Sequence, residues 1–156
     1  MEDSGRDCPF CNIDREKSRI VQAGDHVVVM LSNPRLAPGH LLVMPKRHIE
    51  VPWHLKRYEI AELYEYVLYY QQRIVERVAP GCDVRQNYRP FMPQGRLKIN
   101  HMHFHLLPRW PYEQDELYQR SMRFESGIFA PLTDTERDKY LDMYTTHRLD
   151  PRFATA

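Results

Sequence analysis

Three histidines at every second position, His101, His103 and His105, are the residues whose type and spacing most directly suggest chemistry. In an extended chain, side chains two apart share a face and stand roughly 6.5–7 Å apart. The three imidazoles would then line one phosphate-sized site, with Met102, Phe104 and Leu106 facing a core. A solvated strand face is poorly explained by three histidines, since Lys, Glu or Thr would serve equally well. A ladder of three metal ligands remains an alternative, imidazole being the commonest metal ligand. No Ser or Cys stands beside the array to act as an acyl-transfer nucleophile. A neutral imidazole can itself attack phosphorus, and the phosphorus–nitrogen bond it forms is labile. Flanking imidazoles could donate hydrogen bonds to the phosphoryl oxygens.

A second constellation is Cys8-Pro9-Phe10-Cys11. A redox pair wants a preceding strand and a helix N-terminus, and no strand precedes this one. Two buried thiols and a zinc half-site are the other readings, the last needing two ligands from elsewhere. With three cysteines in all, a disulfide framework is not expected. Cys82 reads as a small buried hydrophobe.

The elements that must carry these residues follow from periodicity. Residues 26–31, with Val27, Val28 and Val29, read as a strand, and residues 41–44 as a second, stopped by Pro45. A turn-rich connection through Asn33, Pro34, Pro38 and Gly39 suggests antiparallel pairing. Ile60, Leu63, Val67, Tyr70, Ile74 and Val78 recur at helical spacing, predicting a long helix over 55–79, ended by Pro80-Gly81. Residues 82–88 read as a strand, 90–95 as a loop, and 97–107 as the histidine-bearing strand closed by Pro108. One or two C-terminal helices follow; the better one opens at Thr133, spaced from Glu136 as in a capping box. Strands segregated from one dominant helix predict an α+β fold, a single domain over residues 1–150 with an antiparallel sheet, and a flexible tail over 151–156.

Composition bounds the function. The 156 residues suit one domain, and 22 basic against 21 acidic side chains give a formal charge of +1. That balance predicts no binding of long nucleic acid. No apolar run approaches the ~20 residues of a membrane span. No secretory signal is visible at the N-terminus, so a cytoplasmic protein is expected.

His101-Met102-His103-Phe104-His105-Leu106-Leu107 resembles the His-φ-His-φ-His-φ-φ pattern of the histidine triad (HIT) superfamily, and Pro108-Arg109 follows as in many members. Gly39-His40-Leu41-Leu42-Val43-Met44-Pro45-Lys46-Arg47-His48 resembles its second hallmark strand and turn. With the cysteine pair, the likeness runs from about Cys8 to Arg109. It implies a compact α+β domain, usually homodimeric, that binds small nucleotides and hydrolyses or transfers nucleoside monophosphates. By the same likeness His103 attacks the α-phosphorus, His105 contacts its oxygens, and His101 completes the catalytic triad. In the zinc-containing branch that begins Cys-x-x-Cys, the implied ligands of a structural zinc are Cys8, Cys11, His48 and His101.

The pattern breaks just before the triad. Many members have Gly-Gln-Ser or Gly-Gln-Thr there, whereas this chain has Gln94-Gly95-Arg96-Leu97-Lys98-Ile99-Asn100. Lys98 falls near the missing hydroxyl and, like Arg96, could supply positive charge to a leaving phosphate. Asn33 and Asn87 resemble polar residues that meet the nucleoside and precede the phosphate loop. His40 either approaches the phosphate site or is structural. Dinucleoside polyphosphates, nucleoside phosphoramidates and adenylylated small molecules all fit such a site as substrates. The alternative is a non-catalytic nucleotide-binding protein of the same fold.

Overall fold

The computed structural model describes residues 7–93, 98–111 and 129–146, the side chains of 14–16 apart. A 3₁₀ segment, Ile13–Arg19, leads into five strands: β1 (Ile20–Ala23), β2 (Val27–Leu31), β3 (Leu41–Pro45), β4 (Gly81–Gln86) and β5 (Phe104–Arg109). Helix α1 (Arg57–Arg77) lies between β3 and β4, and α2 (Asp134–Thr145) follows β5. The strands form one antiparallel sheet in the order β1-β2-β3-β5-β4. The α+β reading and the β2–β3 pairing hold.

Every residue of β2 and β3 is buried, because both faces of the sheet are covered there. Val27, Val29, Leu31, Leu41 and Val43 turn to α1 and pack with Leu63, Val67, Tyr70 and Ile74. Val28, Met30, Leu42 and Met44 turn the other way and pack with Cys8 and Phe10. The N-terminal segment is therefore a second layer, seated by the alternation of the strands. Met102, Phe104 and Leu106 join the α1 side as expected, with Phe104 meeting Tyr64 edge to face.

Several features differ from expectation. Strand β1 was not foreseen; its short Ile-Val-Gln-Ala run carries a register shift between Ile20 and Gln22 that breaks simple alternation. Pro45 lies inside β3, opposite Val27. The histidine strand begins at Phe104 rather than at residue 97. Upstream, Met102 N–H bonds Ile49 C=O at 2.6 Å, so this stretch is tied to the chain after β3 and not to the β4 ladder. Ile60, assigned to the core face of the helix, is exposed, and Tyr66 and Tyr69 take up core positions instead. Thr133 caps α2 as expected, accepting from Glu136 N–H at 3.1 Å. The loop residues Gln94, Gly95, Arg96 and Leu97, a further tail helix and the 151–156 tail lie outside the described residues.

Gly39, at the entry to β3, has φ +83°, a left-handed conformation that a side chain resists. Its carbonyl accepts from Tyr144 Oη at 2.7 Å, and a Cβ there would stand 3.0 Å from that same oxygen. Gly39→Ala should therefore lower stability by about 1–3 kcal/mol, read as a reduced urea midpoint with an unchanged m-value.

Candidate functional site

His101 lies just before β5, in the stretch that departs from the sheet to meet the end of β3. Its Nε2–H donates to Pro45 C=O at 2.8 Å, because a carbonyl can only accept. The remaining nitrogen, Nδ1, then carries a lone pair and faces Cys8 Sγ at 3.4 Å and Cys11 Sγ at 3.6 Å. His48 presents its Nδ1 to Cys11 Sγ at 3.2 Å while its Nε2 meets Glu50 at 3.2 Å. The four donor atoms lie within 4.8 Å of one another.

These residues suit a zinc ion. Tetrahedral bonds of about 2.3 Å to sulfur and 2.0–2.1 Å to nitrogen place S and N ligands about 3.6 Å apart, close to the spacings found. Each histidine has its outer nitrogen held by a carbonyl or carboxylate, the support that orients metal-bound imidazoles. Burial and the adjacent Cys8 push the Cys11 thiol up to about 12; a cation between the sulfurs would reverse that bias. With four protein donors, a tetrahedral ion here would have no open position.

His103 and His105 extend the row away from this centre, their rings 4.7 Å apart. His103 Nδ1–H donates to the carbonyl of His101 at 2.6 Å, which leaves the lone pair on Nε2. Burial holds its pKa below the ordinary histidine value, so the ring is neutral at pH 7. Phe10 packs edge-on against both His103 and His101. The same aromatic ring thus spans the cysteine loop and the triad.

His40 supplies an interaction the sequence left undecided. Its Nδ1 accepts from Leu36 N–H at 3.1 Å, so its proton sits on Nε2 and is donated to His105 Nδ1 at 2.9 Å. That fixes His105 with Nε2–H outward, the opposite tautomer to His103. Desolvation, then the fields of His103, Arg85 and Arg89, lower the His105 pKa to about 3. Buried His40 is also pushed far down, chiefly by desolvation. The signal in the sequence was the Gly-His dipeptide before β3: the β3–β5 register puts Leu41 opposite Leu106 and Leu42 opposite His105.

A cavity opens beside His103, lined also by Asn87, Tyr88, Arg89, Lys98 and Asn100. Lys98 Nζ bonds Asn100 Oδ1 on its wall. The structure thus brings Asn87 and Lys98 to the triad. Asn33 has its Oδ1 engaged by Leu132 N–H at 3.0 Å. Cys82 packs against the core, and burial pushes its thiol up to about 12.

Comparison with known proteins accords with this geometry. Residues 14–111 match the HIT domain family. An uncharacterized HIT-like protein of Saccharolobus solfataricus is 30% identical over 144 residues, covering 85% of this chain and 89% of that protein. Among solved structures, a hypothetical histidine triad nucleotide-binding protein of Sulfolobus tokodaii superposes with a TM-score of 0.68 at 23% identity, over 89% of this chain and 90% of that one. A Zn-bound histidine triad family protein of Mycobacterium smegmatis gives 0.63 at 19% identity, over 92% and 96%. The cysteine pair precedes the matched residues, so the zinc reading rests on its own geometry. The chain belongs to the HIT domain family.

Proposed function

We propose that this protein is a nucleotidyl hydrolase or transferase that works through a covalent nucleotidyl-His103 intermediate. The supporting observation is the opposed pair of tautomers: a buried, neutral His103 with its Nε2 lone pair free of protons, next to a His105 whose Nε2 carries one. In this reading Nε2 of His103 attacks the α-phosphorus. A phosphorus–nitrogen bond forms while the bond to the leaving group breaks, its electron pair departing with that group. The positive charge gained by the ring is met by the His101 carbonyl at Nδ1–H. His105 Nε2–H donates to a phosphoryl oxygen as negative charge builds there. Water then attacks phosphorus, the P–N pair returns to Nε2, and the water's proton goes to solvent; another acceptor in place of water gives transfer.

Asn87 and Lys98 would contact the phosphates from the cavity wall, and Asn33 would offer its Nδ2 to the nucleoside. His101 acts on the reaction by holding the His103 tautomer. Zinc on Cys8, Cys11, His48 and His101 would fasten the N-terminal layer to the triad and is assigned no chemical step. Thiolate ligands suit a reducing, cytoplasmic setting. Residues 1–150 are taken as the catalytic domain.

We also read the protein as a homodimer. Ile60, Tyr64, Leu68 and Val75 stand exposed on α1. The helix lies against β4, an edge strand among the described residues, which also exposes the apolar Val84. An open edge beside an apolar stripe suits a self-complementary contact that extends the sheet.

Incubation with a nucleotide labelled at the α-phosphate and rapid quenching should trap base-stable, acid-labile label on the wild type. His103→Ala should trap none and lose roughly 10⁴-fold or more in kcat; turnover at the wild-type rate would refute the mechanism. Cys11→Ser should lower zinc content below one per chain by metal analysis. It should also lower Tm by about 5 °C, the equivalent of roughly 2 kcal/mol at this size. Leu68→Glu should convert the dimer to a monomer in light scattering.

A further inference from the structure

The histidine row by itself brings no formal charge to a phosphate. Burial holds His40, His103 and His105 below the ordinary histidine value, so all three rings are neutral at pH 7. A neutral Nε2–H can donate to a phosphoryl oxygen, but it does not balance an anion. When a neutral nitrogen attacks phosphorus, electron density moves onto the two non-bridging oxygens while the ring turns positive. A cation already in place beside those oxygens stabilises that density without reorganising at the moment of reaction.

Strand β4 supplies one. In its ladder with β5, Arg85 stands directly opposite His105 and Asp83 opposite Leu107. Cross-strand partners share a face of the sheet, with Cβ atoms about 4.5–5.5 Å apart, so the Arg85 side chain has the length to reach the space before the His105 ring. Its field acts on His105 ahead of that of Arg89, and it extends to His40. Arg35 also acts on His40, but Glu136 holds its guanidinium through two bonds, at 2.7 and 3.3 Å. Arg85 is tied far more loosely. It stands 3.6 Å from Asp83 Oδ2, an oxygen that Arg109 already bonds. One carboxylate balances one guanidinium, so this pair of arginines leaves a positive charge over. Arg85 and Asp83 are 42% and 43% exposed, and an ion pair so wet is given up at little cost.

We propose that Arg85 is a catalytic residue, which turns from Asp83 to donate to a non-bridging oxygen of the α-phosphate beside His105 Nε2–H. The assignment rests on His103 as the nucleophile. Arg85 makes and breaks no covalent bond and holds its protons throughout; it meets the charge that builds on phosphorus when His103 attacks. Attack by water on the nucleotidyl-His103 bond loads the same oxygens, so Arg85 serves both halves of the reaction. Asp83 stays bonded to Arg109 and receives Arg85 again when the phosphate departs. A planar, permanently charged fork suits this task better than an ammonium, because it can face one oxygen with two N–H groups.

The test uses the 4-nitrophenyl ester of adenosine 5′-monophosphate and its Rp and Sp α-phosphorothioates. Nitrophenolate leaves without a proton donor, so the rates report attack at phosphorus. Sulfur accepts a hydrogen bond poorly, and the wild type should therefore slow more on the isomer whose sulfur faces Arg85. Arg85→Gln should lower kcat on the oxygen ester by about 100-fold with KM changed by no more than about threefold. The same variant should shrink the preference between the two isomers by about 10-fold, and Arg85→Lys should recover part of kcat. A charge that merely keeps an edge strand soluble would move none of these. No isomer preference in the wild type, a preference that survives Arg85→Gln, a loss confined to KM, or a changed oligomeric state in that variant would overturn the assignment. If the wild type cleaves none of the three esters, or His103→Ala cleaves them as fast, the His103 reading fails by itself. Calorimetry with adenosine 5′-monophosphate and adenosine then decides Arg85. A loss of about 10-fold in Arg85→Gln for the nucleotide alone keeps the phosphate contact, and unaltered affinities remove it.

Discussion

His101 is the residue on which the site's geometry turns, because each of its polar groups has a separate task. Nε2–H is tied to the end of β3, Nδ1 faces the two thiols, and its carbonyl accepts the hydrogen bond of His103 Nδ1–H. Rotating the ring to suit one partner would abandon another. The metal-type cluster and the tautomer of the neighbouring imidazole are thereby set by one side chain and its own backbone. A residue 1% exposed can carry this arrangement because both ring nitrogens and the carbonyl find partners, and a partly satisfied network would cost more than an apolar replacement.

The His105 tautomer, opposed to that of His103, comes from a backbone group at some distance. Leu36 N–H orients His40, and His40 orients His105. Arg35, next to Leu36, pairs with Glu136 on α2 at 2.7 Å. Tyr144, on the same helix, bonds Gly39 immediately before His40. Helix α2 therefore braces the turn from which the His40 relay begins.

Much of this was legible in the sequence for identifiable reasons. Alternation named Met102, Phe104 and Leu106 as core-facing, the 3.6-residue period named Leu63, Val67, Tyr70 and Ile74, and the resemblance to the zinc-containing branch implied Cys8, Cys11, His48 and His101 as one ligand set. What was not legible depended on pairing between distant segments. His101 and His103 share a face with His105 without belonging to the strand, because Met102 bonds Ile49 rather than the β4 ladder. Residue type alone does not encode that choice. Nor does it tell that Tyr66 enters the core while Ile60 leaves it, since both fit an amphipathic helix. His40 stood in a recognisable motif, yet its tie to His105 becomes visible only through the β3–β5 register.

The double covering of β2 and β3 has a further consequence, in the timescale of opening. Their amides are paired on both sides within the sheet and shielded by an apolar layer above and below. Exchange of such amides with solvent requires openings that approach global unfolding. Strand β5 pairs directly with β3, so His105 hangs from the slowest-opening part of the chain. The cavity wall at Asn87 to Pro90, by contrast, lies beyond the end of β4 and outside the ladder. Hydrogen exchange would thus divide the site in two: a His105 strand protected for as long as the fold persists, facing a wall outside the ladder that exchanges faster.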